Sequence, residues 1–314
     1  MKLSNIPVIV IGGPTAVGKT DLSIHLAKQF NGEIINGDSL QVYRNLNIGT
    51  GKITATEMDG VPHHLLDILD EHEPYDASQF KKMATTLIKE IASRGKLSII
   101  VGGTGLYLEG LLYNLEFGGE CSHSPEVRQH WQQLAQRRGS EWLWQQLQAK
   151  DPQAAALIPY QNTRRVIRAL EVIEVTGELF SKQESHEEQQ SVFNECVIIL
   201  ERPREALYER INRRVQLMVE AGLEQEARAL YDHANGADWQ SIKGIGYKEW
   251  WPYFDGHATL EEVVSTIQQN SRRYAKRQLT WFRNRLKHTH WVDVSDDTQG
   301  IALASAIVKA HLGD

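Results

Sequence analysis

Gly13, Gly18, Lys19 and Thr20 stand in the stretch GGPTAVGKT at the spacing G-x-x-x-x-G-K-[ST]. That spacing can cradle phosphate. The glycines let the backbone curl until its N–H groups point inward at phosphate oxygens. Pro14, Thr15, Ala16 and Val17 complete the loop between them. Lys19 brings a positive charge, the Thr20 hydroxyl can ligate Mg²⁺ beside the phosphates, and a helix starting here adds its dipole. The plainer alternative is a glycine-rich turn with a chance lysine. The strand pattern before the loop and the helical pattern after it favour the cradle.

Hydrolysis of ATP or GTP is the usual use of such a loop. Nucleotide hydrolases of this kind carry an aspartate at the end of another buried strand to hold Mg²⁺. Here the best second strand, LSIIV, runs into GGTG with no acid. An aspartate follows a different strand: Asp38, in INGDSLQVYR. Ligands of parallel sheets bind outside the carboxyl ends of the strands. That puts Asp38, Thr104 and the phosphate loop on one rim. A carboxylate beside a bound diphosphate suits a base acting on an incoming nucleophile. It equally suits a ligand for Mg²⁺ or a cap for the following turn, and the residues alone leave both open.

The elements that must position these groups alternate strand and helix. PVIVI is an unbroken β-branched run, the mark of a strand buried on both faces. Leu22, Leu26 and Phe30 fall at helical spacing over 19–30, and GEIING is a short strand. Residues 78–93 read as a helix, and KLSIIVGGTG repeats the strand-then-glycine pattern. This alternation predicts an α/β fold with a parallel sheet covered by helices. From about residue 118 the chain turns Gln-rich and helical, reaching the polar SKQESHEEQQ before ECVIIL returns to a strand pattern. The economical reading is a helical insertion domain, 118–192, within a core of 1–117 and 193–314. Helices dominate 203–287, and HWVDVS adds a last strand. No repeat of fixed period is evident.

The 314 residues are 41% hydrophobic and 24% charged, with a formal net charge of −6. With no global basic character, any nucleic-acid surface has to be local. Residues 268–290, QQNSRRYAKRQLTWFRNRLKHTH, are rich in Arg and Lys and contain no acid. Read as one helix, Ala275, Leu279, Phe282 and Leu286 form an apolar stripe, and Lys276, Thr280, Arg283 and Lys287 a cationic one. Tyr274 and Trp281 could stack on bases. The pattern suits contact with a nucleic-acid backbone, or a merely solvated helix face. Further arginines cluster at Arg164, Arg165 and Arg168, and at Arg210, Arg213 and Arg214. Cys121 and Cys196 are far apart and lack metal spacing, which predicts a reducing compartment without a disulfide framework. No apolar span of about 18 residues and no signal-peptide pattern is evident, so a cytoplasmic protein without membrane contact is expected. The pair His63-His64 lacks the H-E-x-x-H spacing of a metal site.

The motifs taken together resemble a known family. GGPTAVGKT, INGDSLQVYR, GVPHHLLDI, YDASQF, IIVGGTGLYLEGLL, SPEVR, RRVIRALEV, RRVQLM, SIKGIGYKE and YAKRQLTWFR occur in the order seen in bacterial tRNA dimethylallyltransferases. The resemblance covers about residues 7–290, and the joint occurrence is far more specific than the phosphate loop alone. It implies a P-loop NTPase-like core. It also implies transfer of a dimethylallyl group from dimethylallyl diphosphate to N6 of the adenosine just 3′ of the tRNA anticodon. The bond broken would be carbon–oxygen, so the acid missing after LSIIV is no loss.

The resemblance further implies roles. Asp38 would take the proton of the adenine amine, a poor nucleophile whose lone pair is delocalised into the ring. Gly13 to Thr20 would hold the diphosphate, with Mg²⁺ expected at Thr20. Thr104 would bond the bridging oxygen, and Arg128 and Arg214 would stabilise the departing group. Contact with the anticodon stem-loop would come from Asp38, Ser39, Leu40 and Gln41, and from Arg164, Arg165, Val166, Ile167 and Arg168. Lys243, Gly244, Ile245, Gly246, Tyr247 and Lys248 would add to it. So would Lys276, Arg277, Gln278, Leu279, Thr280, Trp281, Phe282 and Arg283. The adenosine would flip out of a single-stranded loop to reach the diphosphate. A monomer is expected. Two other classes stand beside this reading. A nucleoside or nucleotide kinase on the same core would need ATP. A non-catalytic RNA-binding protein would need none of Lys19, Thr20, Asp38 and Thr104.

Overall fold

A computed structural model describes residues 2–115, 124–183 and 190–313; Cys121 and residues 184–189 of the polar run lie outside them. Among the described residues the strands are β1 (Pro7–Gly12), β2 (Gly32–Asn36), β3 (His63–His64), β4 (Leu97–Gly102), β5 (Asn194–Glu201) and β6 (Thr289–Asp293). They pair in one parallel sheet, ordered β3-β2-β4-β1-β5-β6. β1 lies between β4 and β5, in register through Ile9↔Ile99 and Ile9↔Cys196. Val8, Ile9, Val10 and Ile11 are fully buried, which is why this run carries no polar alternation.

The chain divides into two compact units, Met1–Asn114 with Ser191–Asp314, and Leu115–Gln190. The sheet belongs to the first. Its helices are α1 (Lys19–Gln29), α2 (Ala77–Ser93) and α3 (Gly105–Leu112) before the second unit. The second unit contributes α4 (Pro125–Arg138), α5 (Ser140–Lys150), α6 (Pro152–Leu157), α7 (Thr163–Thr176) and α8 (Phe180–Gln183). After it come α9 (Arg204–Glu220), α10 (Leu223–Ala234), α11 (Trp251–Phe254), α12 (Leu260–Arg285) and α13 (Asp297–Leu312).

The second unit has its own core. Leu143, Leu147, Val166 and Leu170 are fully buried in it, each contributing about 1.5–3 kcal/mol. Three of its helices start at side-chain caps: Ser124 before Pro125, Asp151 before Pro152, and Asn162 before Thr163. At its centre Glu171 is fully buried. It accepts from Arg128 Nη2 at 2.7 Å, Arg168 Nη1 at 3.0 Å and the Ser124 N–H at 3.1 Å. Burial alone would raise its carboxyl, but the bonds from Arg128 and Arg168 outweigh that and hold it low.

The basic helix differs from expectation at both ends. It starts at Leu260, where Thr259 and Glu262 make a reciprocal capping box. It stops at Arg285, because Leu286 turns extended and Thr289 and His290 pair with β5. Among the described residues no helix is long and apolar enough to cross a membrane.

Candidate active site

In parallel strands all carboxyl ends share one edge. The turn after β1 is the phosphate loop, the turn after β2 carries Asp38, and the turn after β4 carries Gly103 and Thr104. In the loop, Gly13 and Gly18 take φ of 152° and 115°, conformations that side chains rarely tolerate. Lys19 Nζ donates to the carbonyls of Gly13 (3.0 Å) and Pro14 (2.8 Å). Arg210 Nε donates to Ala16 O (2.9 Å) and Arg202 Nε to Val17 O (3.0 Å). Arg202 is itself paired with Asp297 at the start of α13. Burial, then the charge of Arg214, drive the Lys19 ammonium down to about 8, while Asp38 opposes them. Thr20 stands exposed in the first turn of α1.

Asp38 divides its carboxylate. Oδ1 accepts from the N–H groups of Leu40 (2.8 Å) and Gln41 (3.3 Å) and so caps the following turn. Oδ2 carries no hydrogen bond among the described residues. Asn36 braces the aspartate's backbone, accepting from its N–H at 3.1 Å. Gln41 Nε2 reaches Thr50 O (3.2 Å) and Gly51 O (3.3 Å), and Arg214 Nη2 reaches Gly51 O (3.4 Å). Glu226 fixes this segment from α10. It accepts the N–H groups of Asn47, Ile48 and Gly49 at 2.8, 2.8 and 2.9 Å, and the Tyr247 hydroxyl at 2.7 Å. Burial lowers the Arg214 guanidinium, and Asp38 and Glu57 pull it back.

The Thr104 hydroxyl is buried and makes no hydrogen bond of good geometry. Leaving such a group unpaired costs about 1–3 kcal/mol, so it is a position that a ligand oxygen would satisfy. The Tyr274 phenol of α12 lies within loose hydrogen-bonding reach of that hydroxyl. Burial pushes the Tyr274 phenol up to about 12, the Asp38 charge adds to that, and Thr104 and Gln278 oppose it.

The structure sorts the expected RNA-contacting residues by exposure. Arg164, Arg165, Lys243, Lys248, Lys276, Arg277, Thr280 and Arg283 are exposed. Ser39, Leu40, Gln41, Arg168, Ile245 and Leu279 are partly so, and Gly244 and Gly246 are buried. Val166 and Ile167 instead build the core of the second unit. Tyr247 is fully buried on Glu226, Gln278 is buried against Thr15 and Gly103, and Phe282 is fully buried. Their side chains are therefore packing groups and not surface contacts. Tyr274 and Trp281 are half-buried. Tyr274 lies beside Thr104, and a Cβ on Gly105 would meet Trp281 Cδ1 at 2.3 Å, so the indole packs on the first turn of α3. Arg128 sits in the second unit on Glu171.

His63 and His64 are hydrogen-bonded residues of the edge strand, on Val61 O (2.8 Å) and Glu33 Oε2 (2.7 Å). Among the described residues no three His, Cys, Asp or Glu side chains converge as metal ligands. Glu226, Glu171 and the loop contacts of Arg202 were not foreseen. For Glu226 and Arg202 no local motif marks them, because the backbone each bonds is distant in sequence; Glu171 had a local signal, the i,i+3 spacing to Arg168.

The IPP transferase family model matches residues 41–285 of this chain. The chain is 50% identical over 289 residues to the tRNA dimethylallyltransferase of Bacillus subtilis strain 168, spanning 92% of this chain and 91% of that one. It is 52% identical over 290 residues to the Limosilactobacillus reuteri protein of the same name, spanning 91% and 92%. A solved full-length tRNA isopentenylpyrophosphate transferase from Bacillus halodurans is 46% identical, with a TM-score of 0.74 over 98% of this chain and 97% of that one. A eukaryotic dimethylallyltransferase, solved in crystallographic snapshots acting on tRNA, is 31% identical, with a TM-score of 0.82 over 97% of this chain and 78% of that one.

Proposed function

This chain belongs to the IPP transferase family, and on that premise we propose that its phosphate loop holds a prenyl diphosphate while Asp38 serves an adenosine of tRNA. The reaction is transfer of the dimethylallyl group from dimethylallyl diphosphate to N6 of the adenosine 3′-adjacent to the anticodon, releasing diphosphate. One observation carries the assignment of roles. A single rim gathers the cations Lys19 and Arg214, the buried and poorly satisfied Thr104 hydroxyl, and an Asp38 with one oxygen unbonded.

As N6 attacks the allylic carbon, the carbon–oxygen bond to diphosphate breaks and a nitrogen–carbon bond forms. The N6 proton passes to Asp38 Oδ2. A positioned base contributes about 10²- to 10⁴-fold. Oδ1 keeps the turn closed meanwhile, so the carboxylate is held as it works. Charge collects on the leaving diphosphate, where donors already in place help most. Lys19 and Arg214 meet that charge, and the Thr104 hydroxyl donates to the bridging oxygen. Arg128 is a further cation for the same group, on the strength of the resemblance.

Mg²⁺ fits the donor set as an ion held mainly by substrate. Thr20 offers one exposed hydroxyl at the end of the loop, and Mg²⁺ ordinarily takes its remaining oxygens from phosphates and water. When bound, it supplies charge neutralisation for the diphosphate. The exposed stripe Lys276, Arg277, Thr280 and Arg283 faces solvent and suits tRNA phosphates. Work on tRNA puts the protein in the cytoplasm, and nothing in this chemistry calls for a second copy.

A label-transfer assay tests the function. Purified protein, Mg²⁺, unmodified tRNA and radiolabelled dimethylallyl diphosphate are mixed, with ATP hydrolysis followed alongside. Label enters tRNA and ATP is untouched. ATP turnover without labelled tRNA would contradict the reading and favour a kinase.

A further inference from the structure

The ladder between β1 and β4 ends at Gly12↔Gly102. Beyond it the two chains part into the phosphate loop and the Thr104 turn, and the sheet no longer sets their spacing. A side chain of α12 does. Gln278 Oε1 accepts the Thr15 N–H at 3.0 Å, and its Nε2 donates to Gly103 O at 2.9 Å. Gln278 is only 5% exposed. The fit is close, since a Cβ on Gly103 would lie 2.1 Å from Nε2. Around it, Tyr274 neighbours Thr104 and Trp281 packs on Gly105.

We propose that Gln278 is a positioning residue for the diphosphate, its one amide tying the phosphate loop to the turn that carries Thr104. The inference rests on the loop being a diphosphate site, as proposed above. A primary amide suits the task because it presents an acceptor and a donor on one rigid plane. A carboxylate would keep the bond to Thr15 but set a negative oxygen against the Gly103 carbonyl. An aliphatic side chain would make neither bond. The diphosphate must meet the loop on one side and the Thr104 hydroxyl on the other. Misplacement of such groups by about 1 Å costs on the order of 10²-fold in rate. The exposed residues of the same helix, Lys276, Arg277, Thr280 and Arg283, are left to contact tRNA.

Gln278→Leu and Gly103→Ala both disturb this contact, from opposite sides. Titration of the parent and each variant with inorganic diphosphate, with tRNA affinity and steady-state transfer measured in parallel, tests it. Both variants lose affinity for diphosphate and fall about 10- to 100-fold in kcat/KM for dimethylallyl diphosphate, while tRNA affinity stays within about 3-fold. The two changes are non-additive, because Gly103→Ala has little left to disturb once the amide is gone. Unchanged diphosphate affinity in both variants would overturn the proposal. So would an equal loss of tRNA affinity, which would make Gln278 a general packing residue. Failure of the parent protein itself to bind diphosphate would instead bring down the reading of the loop, and this inference with it.

Discussion

The Arg214 guanidinium repels the Lys19 ammonium, and that repulsion, second only to burial, holds the lysine at about 8. Two cations are thus kept together with Asp38 as the opposing charge acting on both. A site built this way favours an incoming anion, because the anion relieves a repulsion that the fold already bears.

The lysine gives a pH dependence of known sign. An anion binds the protonated form better, and the protonated fraction falls as pH rises through about 8. The KM for dimethylallyl diphosphate therefore rises above about pH 8, and Lys19→Met raises KM while removing the lysine's part of that slope. A KM profile over pH 7 to 9.5, roughly that window, checks it. Stability moves the other way. The depressed ammonium costs stability below about 8, and the cost fades as pH rises from about 8 towards 10.5.

Thr104 separates activity from stability. Its buried hydroxyl makes no hydrogen bond of good geometry, only a loose approach to the Tyr274 phenol, so Thr104→Val removes little that holds the fold. The melting temperature stays level or rises, while kcat falls about 10²- to 10³-fold, the range for loss of a donor to a developing oxyanion. Thr104→Ser retains most activity. Thermal unfolding and single-turnover transfer on the same samples decide.

Glu226 organises the segment that carries Gly51. Each carboxylate oxygen accepts two donors, Asn47 and Ile48 on Oε2, Gly49 and Tyr247 on Oε1. Glu226→Gln must turn an NH₂ against one of those pairs. It destabilises the protein by about 1–3 kcal/mol, read as a lower urea midpoint. Transfer falls with it, because Gln41 and Arg214 bond the same segment.

Binding of tRNA weakens steeply with salt through phosphate neutralisation. Lys276→Ala weakens it across all accepted tRNAs and lowers the slope of log K against log salt by about 0.7–0.9. Filter binding at several salt concentrations measures this. A slope unchanged from the parent would remove Lys276 from the interface.

Lys19, Thr20, Asp38 and Thr104 were legible in sequence because strand, turn and helix follow one another locally, and parallel strands bring their ends to one edge. Glu226 was not, since the backbone it caps at Gly49 lies 177 residues away. Gln278 was half legible. Its partners lie 263 and 175 residues away and leave no local trace. Yet Ala275, Gln278 and Phe282 fall on one face at helical spacing and are all buried. The resemblance assigns Lys276 to Arg283 to tRNA as a block, although the apolar stripe through Ala275 and Phe282 already marks one face of that segment as buried. The same holds for Val166 and Ile167, whose neighbours Arg164 and Arg165 are exposed while they themselves are core. Helix ends depended on Thr259 and Glu262 and on pairing with β5, and only the capping box has a sequence signature.

The most direct test of the account is Asp38→Asn. Asparagine keeps an acceptor oxygen for the N–H groups of Leu40 and Gln41, so the turn stays capped while the base is lost. Transfer of label to tRNA falls by about 10²- to 10⁴-fold, with tRNA affinity within a few-fold of the parent. Transfer at the parental rate would contradict the account and leave Asp38 as a cap alone.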